Sequence, residues 1–91
     1  MGGEGVKMSN FKKLKKEIEG LKILQSVNLE ELKALQDLAL SAEADSAMIT
    51  EGPFKMALQA NKGNEFVELV AFKIPFGGWR VADICYKVRW N

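Results

Sequence analysis

At Gly52-Pro53 the hydrophobic pattern of this chain changes period, and that change restricts the possible folds more than any other feature of the sequence. Before it, apolar residues recur at three- and four-residue spacing, as on one face of a helix, a period that fades around Ala44 to Ala47. After it they alternate, as on one face of a strand. Helices first and strands afterwards make an α+β domain, not a series of βαβ units.

The helical half divides in two. From Ser9 or Asn10, either of which suits an N-cap, Phe11, Leu14, Ile18 and Leu21 form an apolar stripe that Gln25 continues. Lys12, Lys15, Lys16, Glu19 and Lys22 take the opposite face, and Ile23 sits among them out of place. Asn28 followed by Glu31 has the spacing of a capping box and starts a second helix. Its apolar arc of Leu29, Leu32, Leu35, Leu38, Ala39 and Ala42 predicts burial against both the first helix and a sheet. With only one or two residues between them, the helices are expected to form an antiparallel hairpin.

In the strand half, Phe54, Met56 and Leu58 alternate with Lys55, Ala57 and Gln59. Phe66, Val70, Phe72 and Ile74 alternate with Val67, Leu69 and Ala71. Ala82, Ile84, Tyr86, Val88 and Trp90 alternate with Val81, Asp83, Cys85, Lys87 and Arg89. Asn61-Lys62-Gly63 suits a three-residue hairpin turn, which would pair Leu58 with Phe66 and Ala60 with Asn64. The next hairpin then sets Val70 opposite Ile84 and Phe72 opposite Ala82, so that even-numbered residues share the helix-covered face. The expected fold is an N-terminal antiparallel helical hairpin packed on one face of a three-stranded antiparallel β-meander. Met48 to Glu51 offers a short fourth strand.

Ninety-one residues suffice for one core, so residues 9–91 are read as a single domain behind a Gly-rich leader, residues 1–8. The longest apolar run, Leu69 to Phe72, falls far short of the roughly 20 residues that span a bilayer. A lone Cys85 agrees with a reducing compartment, and a cytoplasmic location is expected. The net charge of +1 implies neither nucleic acid nor an acidic membrane as a partner. It is unevenly spread: residues 1–26 hold six Lys against three Glu, and residues 27–65 three Lys against seven acids.

The absence of histidine removes the commonest general base and the usual catalytic metal ligand. With a single cysteine, a four-ligand structural zinc site is out of reach as well, and no metal or cofactor is expected. Cys85, between Asp83 and Lys87 on its strand face, is the one strong nucleophile, and half-burial on a sheet is its ordinary explanation. Glu68 stands out because the parity above aims it at the core face. There it must reach the rim, pair with a Lys or the Tyr86 hydroxyl, or serve as a buried functional acid. Gly77-Gly78 joins two strands and opens no helix, so it is a turn and not a phosphate loop.

With the helices over the even side, Ala57, Val67, Leu69, Ala71, Val81 and Cys85 would form an apolar centre on the open face. Lys73, Lys87 and Arg89 fall on its polar rim, and an apolar centre with a polar rim is interface anatomy. The first reading is therefore a non-catalytic interaction or regulatory module that uses this face for homodimerisation or for docking a partner protein. The alternative is nucleic-acid binding through Lys12, Lys13, Lys15, Lys16 and Lys22, a face that carries charge but little that reads bases. A third reading is a small enzyme with Glu68 or Cys85 in a helix–sheet pocket.

Overall fold

The computed structural model describes residues 10–88. Helix α1 spans Asn10–Glu19 and α2 Leu29–Ser41; strands β1 (Ser46–Glu51), β2 (Lys55–Lys62), β3 (Glu65–Ile74) and β4 (Gly78–Val88) follow. The strands form one antiparallel sheet in the order β1-β2-β3-β4, and both helices pack on it. The α+β architecture expected from the change of period is the one adopted. The candidate cap Ser9, the leader, and Arg89 and Trp90 lie outside the described residues.

Each helix is held by the face that its spacing marks. Phe11, Leu14 and Ile18 of α1 are buried, while Lys12, Lys13 and Lys16 are exposed. The amide of Gly20, just past the last helical residue, still bonds the Lys16 carbonyl at 2.9 Å. Helix α2 opens with the capping box: the Glu31 amide donates to Asn28 Oδ1 at 2.8 Å and the Asn28 amide to Glu31 Oε1 at 3.2 Å. Such caps stabilise a helix by about 1 kcal/mol. Leu32 and Ala39 are its buried residues, with Leu29, Leu35 and Leu38 packed beside them.

The link between the helices is longer than expected, running from Gly20 to Asn28. It lies along the edge of β4. The Leu24 amide donates to the Val81 carbonyl (2.8 Å), the Val81 amide to Gln25 (2.9 Å) and the Val27 amide to Trp79 (3.1 Å). This segment pairs the first half of an edge strand that would otherwise be bare. Ile23, the residue out of place on α1, is exposed in this link.

The β1 strand begins at Ser46, earlier than Met48, and pairs in full with β2 from Ser46↔Asn61 to Glu51↔Met56. The Asp45 side chain anchors the next turn by accepting from the Gly63 amide at 2.7 Å.

The register of β3 differs from the expected one. Leu58 stands opposite Leu69 and Ala60 opposite Val67, not opposite Phe66 and Asn64. Lys62 pairs with Glu65, so the turn has two residues, Gly63 and Asn64, with a positive φ of 60° at the glycine. Glycine leading a two-residue turn is the type II′ pattern. The shift is by an odd number of residues, which turns the strand over: Val67, Leu69 and Ala71 face the helices and Phe66, Glu68, Val70 and Phe72 face away. The physical reason lies in Glu68. Both rows of this strand are rich in apolar residues, but only the even row would bury a carboxylate at the sheet's centre, at a cost of several kcal/mol.

In β4 a bulge makes a second change of parity. Val70 pairs with Asp83 but Ala71 with Val81, leaving Ala82 as the extra residue. Ile84 and Tyr86 face the helices as expected, and beyond the bulge Trp79 and Val81 do so too, with Arg80 turned outward beside Phe72. One core results: Phe11, Leu14, Ile18, Val27, Leu32, Ala39, Ala42, Met56, Leu58, Ala60, Val67, Leu69, Ala71 and Val81.

Candidate interaction surface

The face of the sheet turned away from the helices is the most distinctive surface of the molecule. Its residues stand in rows across the strands. Phe66 lies between Asn61 and Lys87, Glu68 between Gln59 and Cys85, Val70 between Ala57 and Asp83, and Phe72 between Lys55 and Arg80. Met48 and Thr50 extend two of these rows onto β1, opposite Gln59 and Ala57. The apolar members run diagonally through the centre, and Met48 and Phe72 are 58% and 52% exposed.

Of the nine residues expected at a partner interface, three are on this face: Ala57, Cys85 and Lys87. Val67, Leu69, Ala71 and Val81 are not; all four are buried under the helices, Leu69 completely. The inverted β3 register moves the first three, and the β4 bulge moves Val81. Lys73 is exposed at the far end of β3, and Arg89 lies outside the described residues. The open face is apolar nonetheless, because β3 carries a second apolar row, Phe66, Val70, Phe72 and Ile74, that takes the place of the first. Alternation on both sides of one strand was the signal for it.

Glu68 and Cys85 are direct cross-strand neighbours on this open face. They therefore line no pocket between helices and sheet, as the third reading required. Gln59 Nε2 donates to Glu68 Oε2 at 2.6 Å, so the carboxylate has a hydrogen-bonded place on the surface. The partner of the Tyr86 hydroxyl is not Glu68 but Glu65, whose Oε1 accepts from it at 2.9 Å on the helix side. That bond, then burial, then the negative charges of Glu65 and Glu19 raise the Tyr86 phenol above its ordinary pKa.

The lysine face of α1 meets this tyrosine. Lys15 Nζ sits 4.1 Å from the Tyr86 ring centroid and 4.0 Å from Glu19 Oε2. Lys12, Lys15 and Lys16 line a cleft of about 360 Å³ together with Glu19, Glu65 and Tyr86. Glu19 and Glu65 offset two of its three positive charges, which weakens any attraction for phosphate, and neither Lys13 nor Lys22 lines it. Among the described residues no group of three or more His, Cys, Asp or Glu is placed to hold a metal ion. No described helix is long and apolar enough to cross a membrane.

No family model, curated protein or solved structure matches this chain.

Proposed function

We propose that the chain is a non-catalytic interaction module that pairs with a second copy of itself through the open face of its sheet. The observation that carries this reading is the apolar diagonal of Met48, Ala57, Val70 and Phe72 on the open face, exposed at Met48 and Phe72 and half-buried at Val70, set among charges of both signs. An apolar centre ringed by polar groups is stabilised by burial against a matching surface.

A second copy fits because the face is self-complementary. A two-fold axis along the strands, between β2 and β3, lays β2 of one copy over β3 of the other without changing height. Each residue then meets the partner's copy of its own cross-strand neighbour. Lys55 meets Phe72, Gln59 meets Glu68 and Ala57 meets Val70, while on the outer strands Met48 meets Cys85. A cation lies over a ring, an amide over a carboxylate and apolar over apolar; no like charges meet.

Four strands about 4.8 Å apart, each presenting about seven residues at 3.3 Å, make a face of roughly 19 by 23 Å. That is smaller than the ~800 Å² per partner of a stable interface, so pairing is expected to be reversible and concentration-dependent. Sedimentation equilibrium tests it. The wild type should rise from 10.1 kDa towards twice that mass as concentration increases. Val70→Glu should hold it at one chain while circular dichroism stays native. A wild type that remains monomeric at every concentration would defeat the reading.

A further inference from the structure

At one end of the sheet the β1–β2 turn, through Pro53 and Phe54, lies beside the β3–β4 turn, through Pro75 and Phe76. The Lys73 amide donates to the Phe54 carbonyl at 2.9 Å and ties the two turns together. Phe54 is 72% exposed and Phe76 fully so, and Phe72 and Ile74 continue the apolar surface behind them. Four of the eight exposed large apolar side chains among the described residues thus gather at this tip.

Phe76 combines three unfavourable features. It is aromatic, it is bare to solvent, and its φ of 65° is a left-handed conformation that a bulky residue rarely adopts. Gly, Asn or Asp would satisfy the turn without any of these costs. Lys55 and Lys73 are exposed at the base of the tip and Arg80 is half-buried beside Phe72, against one acid, Glu51. The whole-chain charge of +1 conceals this local excess of two positive charges.

We propose that this tip docks the protein on the surface of an anionic bilayer. Phe54 and Phe76 enter the boundary between headgroups and acyl chains, and the exposed Lys55 and Lys73 reach the lipid phosphates from behind them, while Arg80, held to the Leu24 carbonyl through Nη1, adds its charge from further back. The shape favours a bilayer over a protein. Two aromatic turns projecting side by side require a rigid partner to supply two matched pockets, whereas a bilayer deforms around them. Each basic group near an anionic surface strengthens binding by roughly five-fold and is screened within about 8 Å at physiological salt. The tip shares Lys55 and Phe72 with the open face, but Phe54 and Phe76 lie in the turns beyond it, so changing the two rings tests docking apart from pairing.

Co-sedimentation of the full chain with vesicles tests the proposal. The wild type should pellet with phosphatidylserine–phosphatidylcholine vesicles, more weakly as salt rises, and little with phosphatidylcholine alone. The double variant Phe54→Ser, Phe76→Ser should bind at least about ten-fold more weakly while its circular dichroism stays native, since both rings are exposed. Val70→Glu should bind like a wild-type monomer. Failure of the wild type to pellet with anionic vesicles overturns the proposal. So does undiminished binding of the double variant, or loss of binding only on changing Lys12, Lys15 and Lys16 to Gln, which would assign it to α1. If the double variant instead abolishes self-association and no vesicle binding is seen, the tip is a contact between proteins and the proposal falls.

Discussion

The Tyr86 hydroxyl donates a 2.9 Å hydrogen bond to Glu65 Oε1, joining two residues diagonal to each other across the β3–β4 ladder. The bond needs the phenol's proton, so it favours the neutral form and raises the folded-state pKa above its ordinary value. Folding then gains stability that is complete below the unfolded pKa of about 10 and is lost as pH rises through the higher folded value. Tyr86 is the only tyrosine in the chain, so an ultraviolet phenolate titration reports this group alone. Glu65→Gln should move the midpoint down towards that of a free tyrosine. An unmoved midpoint would show that the bond does not form in solution. Tyr86→Phe should cost no more than about 1 kcal/mol, because the pair is partly in contact with water.

Leu69 and Val70 are adjacent in sequence and face opposite sides of the sheet, which makes them a direct test of the β3 register. Leu69 is completely buried opposite Leu58, so Leu69→Ala should lower stability by about 2–5 kcal/mol, as should Leu32→Ala in α2. Val70→Ala, on the open face, should cost about 1 kcal/mol or less when measured on the monomer by urea denaturation. Comparable losses at Leu69 and Val70 would refute the register. Leu69→Glu should unfold the chain outright, since it places a charge under the helices.

The helices and the order of β2, β3 and β4 were legible because each rests on many residues whose pattern agrees, whereas β1, only six residues long, was legible only as an optional short fourth strand from Met48. The capping box of Asn28 and Glu31 marked the start of α2, and the even rows of β2 and of Ile84 and Tyr86 were assigned to the correct face. The errors came from turn length, on which parity depends and which few residues determine. Asn61-Lys62-Gly63 and Gly63-Asn64 are both plausible turns, and choosing between them inverts β3. Glu68 held the missing information: a register that aims a carboxylate at the core counts against itself. The β4 bulge left a similar trace, because unbroken alternation from Ile84 would have turned Arg80 inward and Trp79 outward. The open face is therefore apolar as expected, but through other residues of β3 than those expected and without Val81 of β4.

Gly77 offers a local test of how the β3–β4 turn holds Phe76. A methyl group added at residue 77 would stand 2.4 Å from Cδ1 and 2.6 Å from Cγ1 of Ile74, whose side chain is folded over the turn. Gly77 also donates its amide to the Ile74 carbonyl at 3.2 Å, so backbone and side chain of Ile74 fix the same loop. Gly77→Ala must displace the isoleucine and should cost about 1 to 2 kcal/mol. In an Ile74→Ala background the nearest remaining side-chain atom is Cβ, at an ordinary 3.9 Å, and the same change should be close to neutral. The double-mutant cycle by urea denaturation isolates this coupling from any effect of glycine on the unfolded chain, which is the same in both backgrounds. Equal costs in the two backgrounds would mean that residue 77 is glycine for its backbone alone. A coupling of about 1 kcal/mol would instead show that Ile74 packs over the turn as a clamp, holding Phe76 at the tip of the sheet.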